Sequence, residues 1–185
     1  MKTIMVDMDD VITYGDFPKI LEEYLGYKTD YDNIKNYYIQ DILKDKKDDF
    51  FNKFKDIDIY KNATLLPDCY DILKKLSNKY KIYICTDYIW REIVEYAGNN
   101  LKNKYQFLYK KLDFINPRNY IFTADKSVVN CDIRIDDKPI NLEGAETKLL
   151  FTAWHNKDLS EEELKNNGMI RVNNWKEIGK ILLDE

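Results

Sequence analysis

Three aspartates, Asp7, Asp9 and Asp10, fall within four positions at the end of the apolar run in KTIMVDMDDV. Carboxylates this close repel one another, and burying them unpaired is costly. They either face water as a turn or surround a positive charge. Three further polar ends follow: Thr86 closes KIYICT, Lys126 stands in TADKSVV, and Asp136 and Asp137 close IRIDD. Taken singly, each has a plain reading: an acidic turn, a hydroxyl capping the next helix, a surface lysine, a turn before Pro139. Taken together, they describe one chemistry. Clustered carboxylates call for a hard cation, and an all-oxygen donor set suits Mg²⁺. A hydroxyl and an ammonium are what the oxygens of a phosphate group need. Asp7 and Asp9 alternate along an extended chain, so one can attack phosphorus while the other exchanges a proton with the leaving oxygen.

These residues need elements that bring them together. Short apolar runs at 2–6, 81–86, 119–124, 132–136 and 148–153 read as strands. Helical spacing marks 17–24, a segment starting near Pro67 with Cys69, Ile72, Leu73 and Leu76 on its apolar face, 88–111 and 174–183. Strands alternating with helices predict an α/β fold, a parallel sheet covered on both faces, whose chemistry collects at the carboxyl ends of the strands. Residues 15–62 carry no strand signal. NIKNYYIQDIL and DDFFNKFKDI in that stretch read as short amphipathic helices, so 15–62 is expected to be a small helical cap inserted into a core formed by 1–14 and 63–185.

The chain of 185 residues is 34% charged and 44% hydrophobic, enough for one domain with a full core. A net charge of −4 leaves no basic footprint for a nucleic-acid polymer. No apolar run reaches the roughly 20 residues of a membrane span, and the N-terminus has no signal-peptide pattern. Cys69, Cys85 and Cys131 are too widely spaced for a zinc cluster or a disulfide framework, so a reducing cytoplasm is expected. His155, the single histidine, and Trp90, Trp154 and Trp175 read as packing residues.

The order DMDDV, ICTD, ADKSVV, IDDKP resembles the four motifs of the haloacid dehalogenase superfamily of phosphatases. Within it the chain is similar to the 5′(3′)-deoxyribonucleotidases, a likeness that continues through LLFTAWHN and NNW. The resemblance implies a three-layer, Rossmann-like fold and a Mg²⁺-dependent phosphomonoesterase that hydrolyses (deoxy)nucleoside monophosphates through an aspartyl-phosphate. It makes Asp7 the nucleophile and a metal ligand. Asp9 would be the acid and base, with its backbone carbonyl on the metal. Thr86 and Lys126 would hold the phosphoryl group. Asp137 would be the direct metal ligand and Asp136 its neighbour holding a coordinated water, the reverse order staying open. Tyr37 and Tyr38, with Phe54 behind them, would stack on the base. A homodimer is compatible with the family. Three departures bear on substrate choice: Asp10 stands where the family usually has Gly, Asp87 where a small neutral residue is usual, and tyrosines where Phe and Trp are typical. The alternatives are a phosphatase of another small phosphorylated metabolite, or a nucleotide-binding protein without turnover.

Overall fold

A strand covered on both faces must bury its side chains on both, which TIMV does with a mostly apolar run and IRID by giving its buried Arg134 and Asp136 partners. In the computed structural model, which describes residues 1–31, 33–34 and 37–183, these two runs become β1 (Thr3–Val6) and β4 (Ile133–Asp136) at the centre of a sheet. β2 (Lys81–Thr86), β3 (Tyr120–Phe122), β5 (Thr147–Phe151) and β6 (Met169–Val172) complete it in the order β3-β2-β1-β4-β5-β6. All neighbours run parallel. The chain builds outward from β1 through β2 to β3, then crosses back and builds the other way from β4. Strand order therefore reverses beside β1, and the carboxyl ends of β1, β2 and β4 border one crevice.

β6 is absent from the sequence expectation. It is a half-exposed edge strand whose four residues are too few and too mixed for a period to emerge.

The helices are α1 (Phe17–Leu25), α2 (Lys47–Phe54), α3 (Cys69–Leu76), α4 (Ala97–Lys111), α5 (Glu161–Asn166) and α6 (Trp175–Leu183); the segment between β1 and α3, which holds α1 and α2, is the insertion. Three differ from the expected spans for local reasons. α3 begins after Pro67, because Asp68 sits at φ 62°, outside the helical region. α4 begins only at Ala97, because residues 87–93 form a loop in which Asp87 Oδ1 accepts from Ile89 N at 2.8 Å and Asn100 Nδ2 donates to Tyr88 O at 2.9 Å. Before α2, residues Ile39–Lys46 form 3₁₀ turns broken at Lys44. α5 owes its start to a capping box between Ser160 and Glu163. Where α3 crosses α6, a Cβ on Gly179 would stand 2.9 Å from Ile72 Cδ1, so glycine lets the Ile72 side-chain end sit where a larger residue would make it shift.

The insertion leaves and rejoins the sheet through a stitched neck. Asp16 N donates to Ile59 O at 2.8 Å, Thr13 Oγ1 to Thr64 O at 2.8 Å and Leu66 N to Ile12 O at 2.8 Å. One apolar cluster runs unbroken from Ile4 and Val6 in the sheet to Phe17, Phe50, Phe51 and Phe54 in the insertion. The three cysteines are free and buried. Among the described residues, no helix is long and apolar enough to cross a membrane.

Candidate active site

The loop after β1 is shaped by its own backbone. Asp7 N donates to Ile135 O at 2.9 Å, carrying the chain along β4 for one more residue. It then turns: Ile12 N reaches Met8 O and Asp10 N reaches Thr13 O, each at 2.8 Å. Asp10 takes φ 60°, a left-handed conformation that glycine adopts freely and aspartate tolerates. This accounts for the glycine usual there. From α6, the buried Trp175 donates its Nε1 to Val11 O at 2.8 Å and braces the turn from below.

Around Asp7 the charges are buried and crowded. Lys126 Nζ lies 2.8 Å from Asp7 Oδ1 and 2.7 Å from Asp136 Oδ2, and all three residues are buried. Asp125 presents that lysine by accepting from Ser127 N (2.9 Å) and Oγ (2.6 Å), which folds residues 126–128 into a 3₁₀ turn. Burial pushes the Asp7 carboxyl up to about 6, Lys126 opposing and Asp136 and Asp9 adding to the rise. Burial likewise raises Asp136 against the pull of Lys126, and Asp137 against its hydrogen bond to His155. Burial alone would lower Lys126, but the Asp7 and Asp136 carboxylates hold it above its ordinary range.

Asp7, Asp136 and Asp137 each offer an oxygen within 4.8 Å of the others. Three buried carboxylates against one lysine leave net negative charge, and the donors are all hard oxygens. The residues present therefore fit a Mg²⁺-type cation. The two motif aspartates at the end of β4 differ in how far they are engaged. Asp136 Oδ1 accepts from Lys138 N (2.9 Å) and Asn141 Nδ2 (3.0 Å), while its Oδ2 faces Lys126. Asp137 Oδ2 meets His155 Nε2 at 2.7 Å.

Asp9 faces a different group of partners. Tyr60 donates its hydroxyl to Asp9 Oδ1 at 2.6 Å, and Lys104 binds Oδ2. The same lysine donates to Thr86 Oγ1 at 2.8 Å and to the Asp87 carbonyl. Thr86 is buried at the end of β2. Asp87 Oδ1 accepts from Ile89 N within its own loop, and both Asp87 and Asp10 border the cavity above the site.

That cavity, about 320 Å³, opens over Asp9 and runs beneath the insertion. Tyr37, Tyr38, Phe17, Trp90 and Trp154 contribute aromatic wall. Lys138 Nζ lies 3.3 Å from the centroid of the Tyr37 ring, and the Arg91 guanidinium 4.0 Å from that of Tyr38. Phe54, expected behind the tyrosines, does not line this cavity. It is buried among Phe17, Phe50, Phe51 and Trp90, stacked on Phe50 at 5.4 Å, and belongs to the core of the insertion. Conversely, Trp90 and Trp154, expected only to pack, do border the cavity, and His155 reaches Asp137.

Lys104 and Tyr60 escape the sequence reading altogether. Tyr60 gives no signal, being one of 15 tyrosines. For Lys104 a signal exists: it shares the inward face of α4 with Phe107 and Leu108, three and four residues on. A lysine on an apolar face needs an anionic or carbonyl partner.

The chain resembles known proteins along its whole length. The family model described as 5′ nucleotidase, deoxy (pyrimidine), cytosolic type C protein matches residues 1–184. A 5′(3′)-deoxyribonucleotidase of Bacillus subtilis (strain 168) is 30% identical over 188 residues, covering 98% of this chain and 99% of that protein. Among solved structures, a haloacid dehalogenase-like hydrolase of Streptococcus pneumoniae superposes with a TM-score of 0.57 at 16% identity over 98% of each chain. A D,D-heptose 1,7-bisphosphate phosphatase of Burkholderia thailandensis superposes with a TM-score of 0.55 at 12% identity over 100% of each. At such identities the two structures speak for the fold.

Proposed function

Since the chain belongs to the 5′ nucleotidase, deoxy (pyrimidine), cytosolic type C family and is a deoxyribonucleotidase-like phosphatase, we propose that it hydrolyses (deoxy)nucleoside monophosphates with Mg²⁺, through an aspartyl-phosphate on Asp7. The observation that carries this reading is the meeting of Asp7, Asp9, Thr86, Lys126 and Asp137 where β1, β2 and β4 end, beneath an aromatic cavity.

In this mechanism Lys126 and Met8 N both donate to Asp7 Oδ1, at 2.8 and 2.6 Å, so Oδ2 is the oxygen that attacks phosphorus. As the Oδ2–P bond forms, the ester P–O bond breaks. Its electron pair stays on the nucleoside oxygen, which takes a proton from the Asp9 carboxyl. A water then attacks phosphorus and gives its proton back to Asp9, and the P–O bond to Asp7 breaks. The balance is ester plus water to nucleoside plus phosphate. Lys126 and the Thr86 hydroxyl hold oxygens of the transferring group. Asp7, Asp137 and the Asp9 carbonyl would hold Mg²⁺, with Asp136 orienting its water. The metal would supply positive charge to the phosphoryl oxygens. Tyr37 and Tyr38 offer faces for the base, and such stacking is worth about 1–3 kcal/mol.

Phosphate release from dUMP, dTMP, UMP, AMP and glucose 6-phosphate, with Mg²⁺ and with EDTA, tests the proposal. Metal-dependent turnover favouring esters that carry a base is expected. Equal turnover of glucose 6-phosphate would overturn the nucleotide assignment, and release from none of them would overturn the reaction.

A further inference from the structure

Asp9 is less enclosed than its partners: its side chain retains 38% exposure, against 3% for that of Lys104. A half-exposed carboxyl can rotate away from a reacting group unless something fixes it. Tyr60 is well placed to do so. It belongs to the returning limb of the insertion, between α2 and α3, and is 4% exposed. Its ring lies 5.7 Å from that of Phe107 on α4. Its neighbour Ile59 is tied by its carbonyl to Asp16 N at 2.8 Å. Across the neck, Gly15 turns the chain at φ +64°, with its Cβ position 3.6 Å from Tyr60 Cε1. Ring and backbone are thus both held, and the hydroxyl has one place to go: Asp9 Oδ1, at 2.6 Å.

The other oxygen of Asp9 looks elsewhere. Lys104 touches Oδ2 and, 2.8 Å away, Thr86 Oγ1, so Oδ2 faces the phosphoryl side of the site. We propose that Tyr60 is a positioning residue: by occupying Oδ1 it keeps Asp9 Oδ2 turned toward the leaving oxygen, so that the insertion itself sets the aim of the proton donor. This deepens the phosphatase reading and rests on it.

Proton donation matters when the ester oxygen is a poor leaving group, as in a nucleoside, and little when it is a nitrophenolate. The test compares wild type with Tyr60→Phe on dUMP and on 4-nitrophenyl phosphate, both with Mg²⁺. Because donors of this kind contribute about 10²–10⁴-fold, misaiming one is expected to lower kcat on dUMP by about 10–100-fold. The KM for dUMP stays within about twofold, and kcat/KM on 4-nitrophenyl phosphate falls by less than about threefold, since kcat/KM reports only the steps through departure of the leaving group and a nitrophenolate leaves without a proton. Tyr24→Phe, which removes an exposed 2.7 Å hydrogen bond to Asp49 far from the site, leaves both rates unchanged. An equal fall in kcat/KM on both esters, or none on either, would overturn the role of Tyr60 alone. Absence of release from either ester by wild type would overturn the phosphatase reading and this role with it.

Discussion

Lys126 Nζ lies 2.8 Å from Asp7 Oδ1, a buried ion pair that joins the turn after β3 to the end of β1. The same ammonium reaches Asp136, so one cation holds two strand ends whose acids would otherwise repel. Lys126 is therefore both a structural counter-charge and a candidate ligand for phosphate.

Replacing Lys126 should lower both stability and turnover. Lys126→Met leaves two buried carboxylates without their cation, and breaking such a pair costs about 3–5 kcal/mol. Urea denaturation in EDTA should show that loss. Phosphate release should fall by about 10²–10³-fold, the usual effect of deleting one donor to the transferring group.

Asp7→Asn has the opposite effect on stability. In the metal-free protein the Asp7 carboxyl titrates near 6 because burial disfavours its charge. The folded chain then binds more protons at this site than the unfolded chain between about pH 4 and 6, so stability falls as pH rises through that window. The asparagine variant lacks this loss and should be more stable than wild type at pH 7 in EDTA by roughly 2–3 kcal/mol. Urea midpoints at pH 4.5 and 7 check the sign. Turnover should fall on the order of 10³-fold or more with the fold intact.

Mg²⁺ should relieve the same crowding. At a concentration 100 times its Kd a ligand stabilises by about 2.7 kcal/mol, which for a domain of this size raises Tm by roughly 5–10 °C. Thermal melts with Mg²⁺ and with EDTA should show this shift in wild type and lose most of it in Asp137→Ala.

The aromatics divide into wall and core. Tyr37→Ala should raise KM for a nucleotide about 10-fold, corresponding to one lost stacking face, with little change in Tm. Phe54→Ala should cost about 3–5 kcal/mol of stability, and Phe54→Leu should leave KM unchanged. Steady-state kinetics beside thermal melts distinguish the two classes.

Much of the fold is written locally. Five of six strands are legible because each falls in a short, largely apolar run between helical stretches, clearest in TIMV, while IRID is buried throughout yet carries Arg134 and Asp136. β6 is lost because MIRV is only four residues and too mixed for a period to emerge. The start of α4 is lost because one Asx turn at Asp87 outweighs the helical spacing of the next six residues.

The site divides in the same way. Asp7, Asp9, Thr86, Lys126, Asp136 and Asp137 end strands or stand within a few residues of a strand's end, and parallel topology sends every such end to one side, so their order along the chain is enough to nominate them. The types and spacing of those residues determined, by themselves, the reaction class to be tested. The rest depended on chain segments far apart in sequence. Lys104 reaches Asp9 across 95 residues, Tyr60 across 51, and His155 reaches Asp137 across 18. No local pattern encodes which of 15 tyrosines will face a carboxylate, or that Phe54 turns into the insertion while Trp90 and Trp154 line its cavity. Those choices follow from how the insertion packs on the sheet, a property of side-chain volumes meeting in space, and only the tertiary structure decides them.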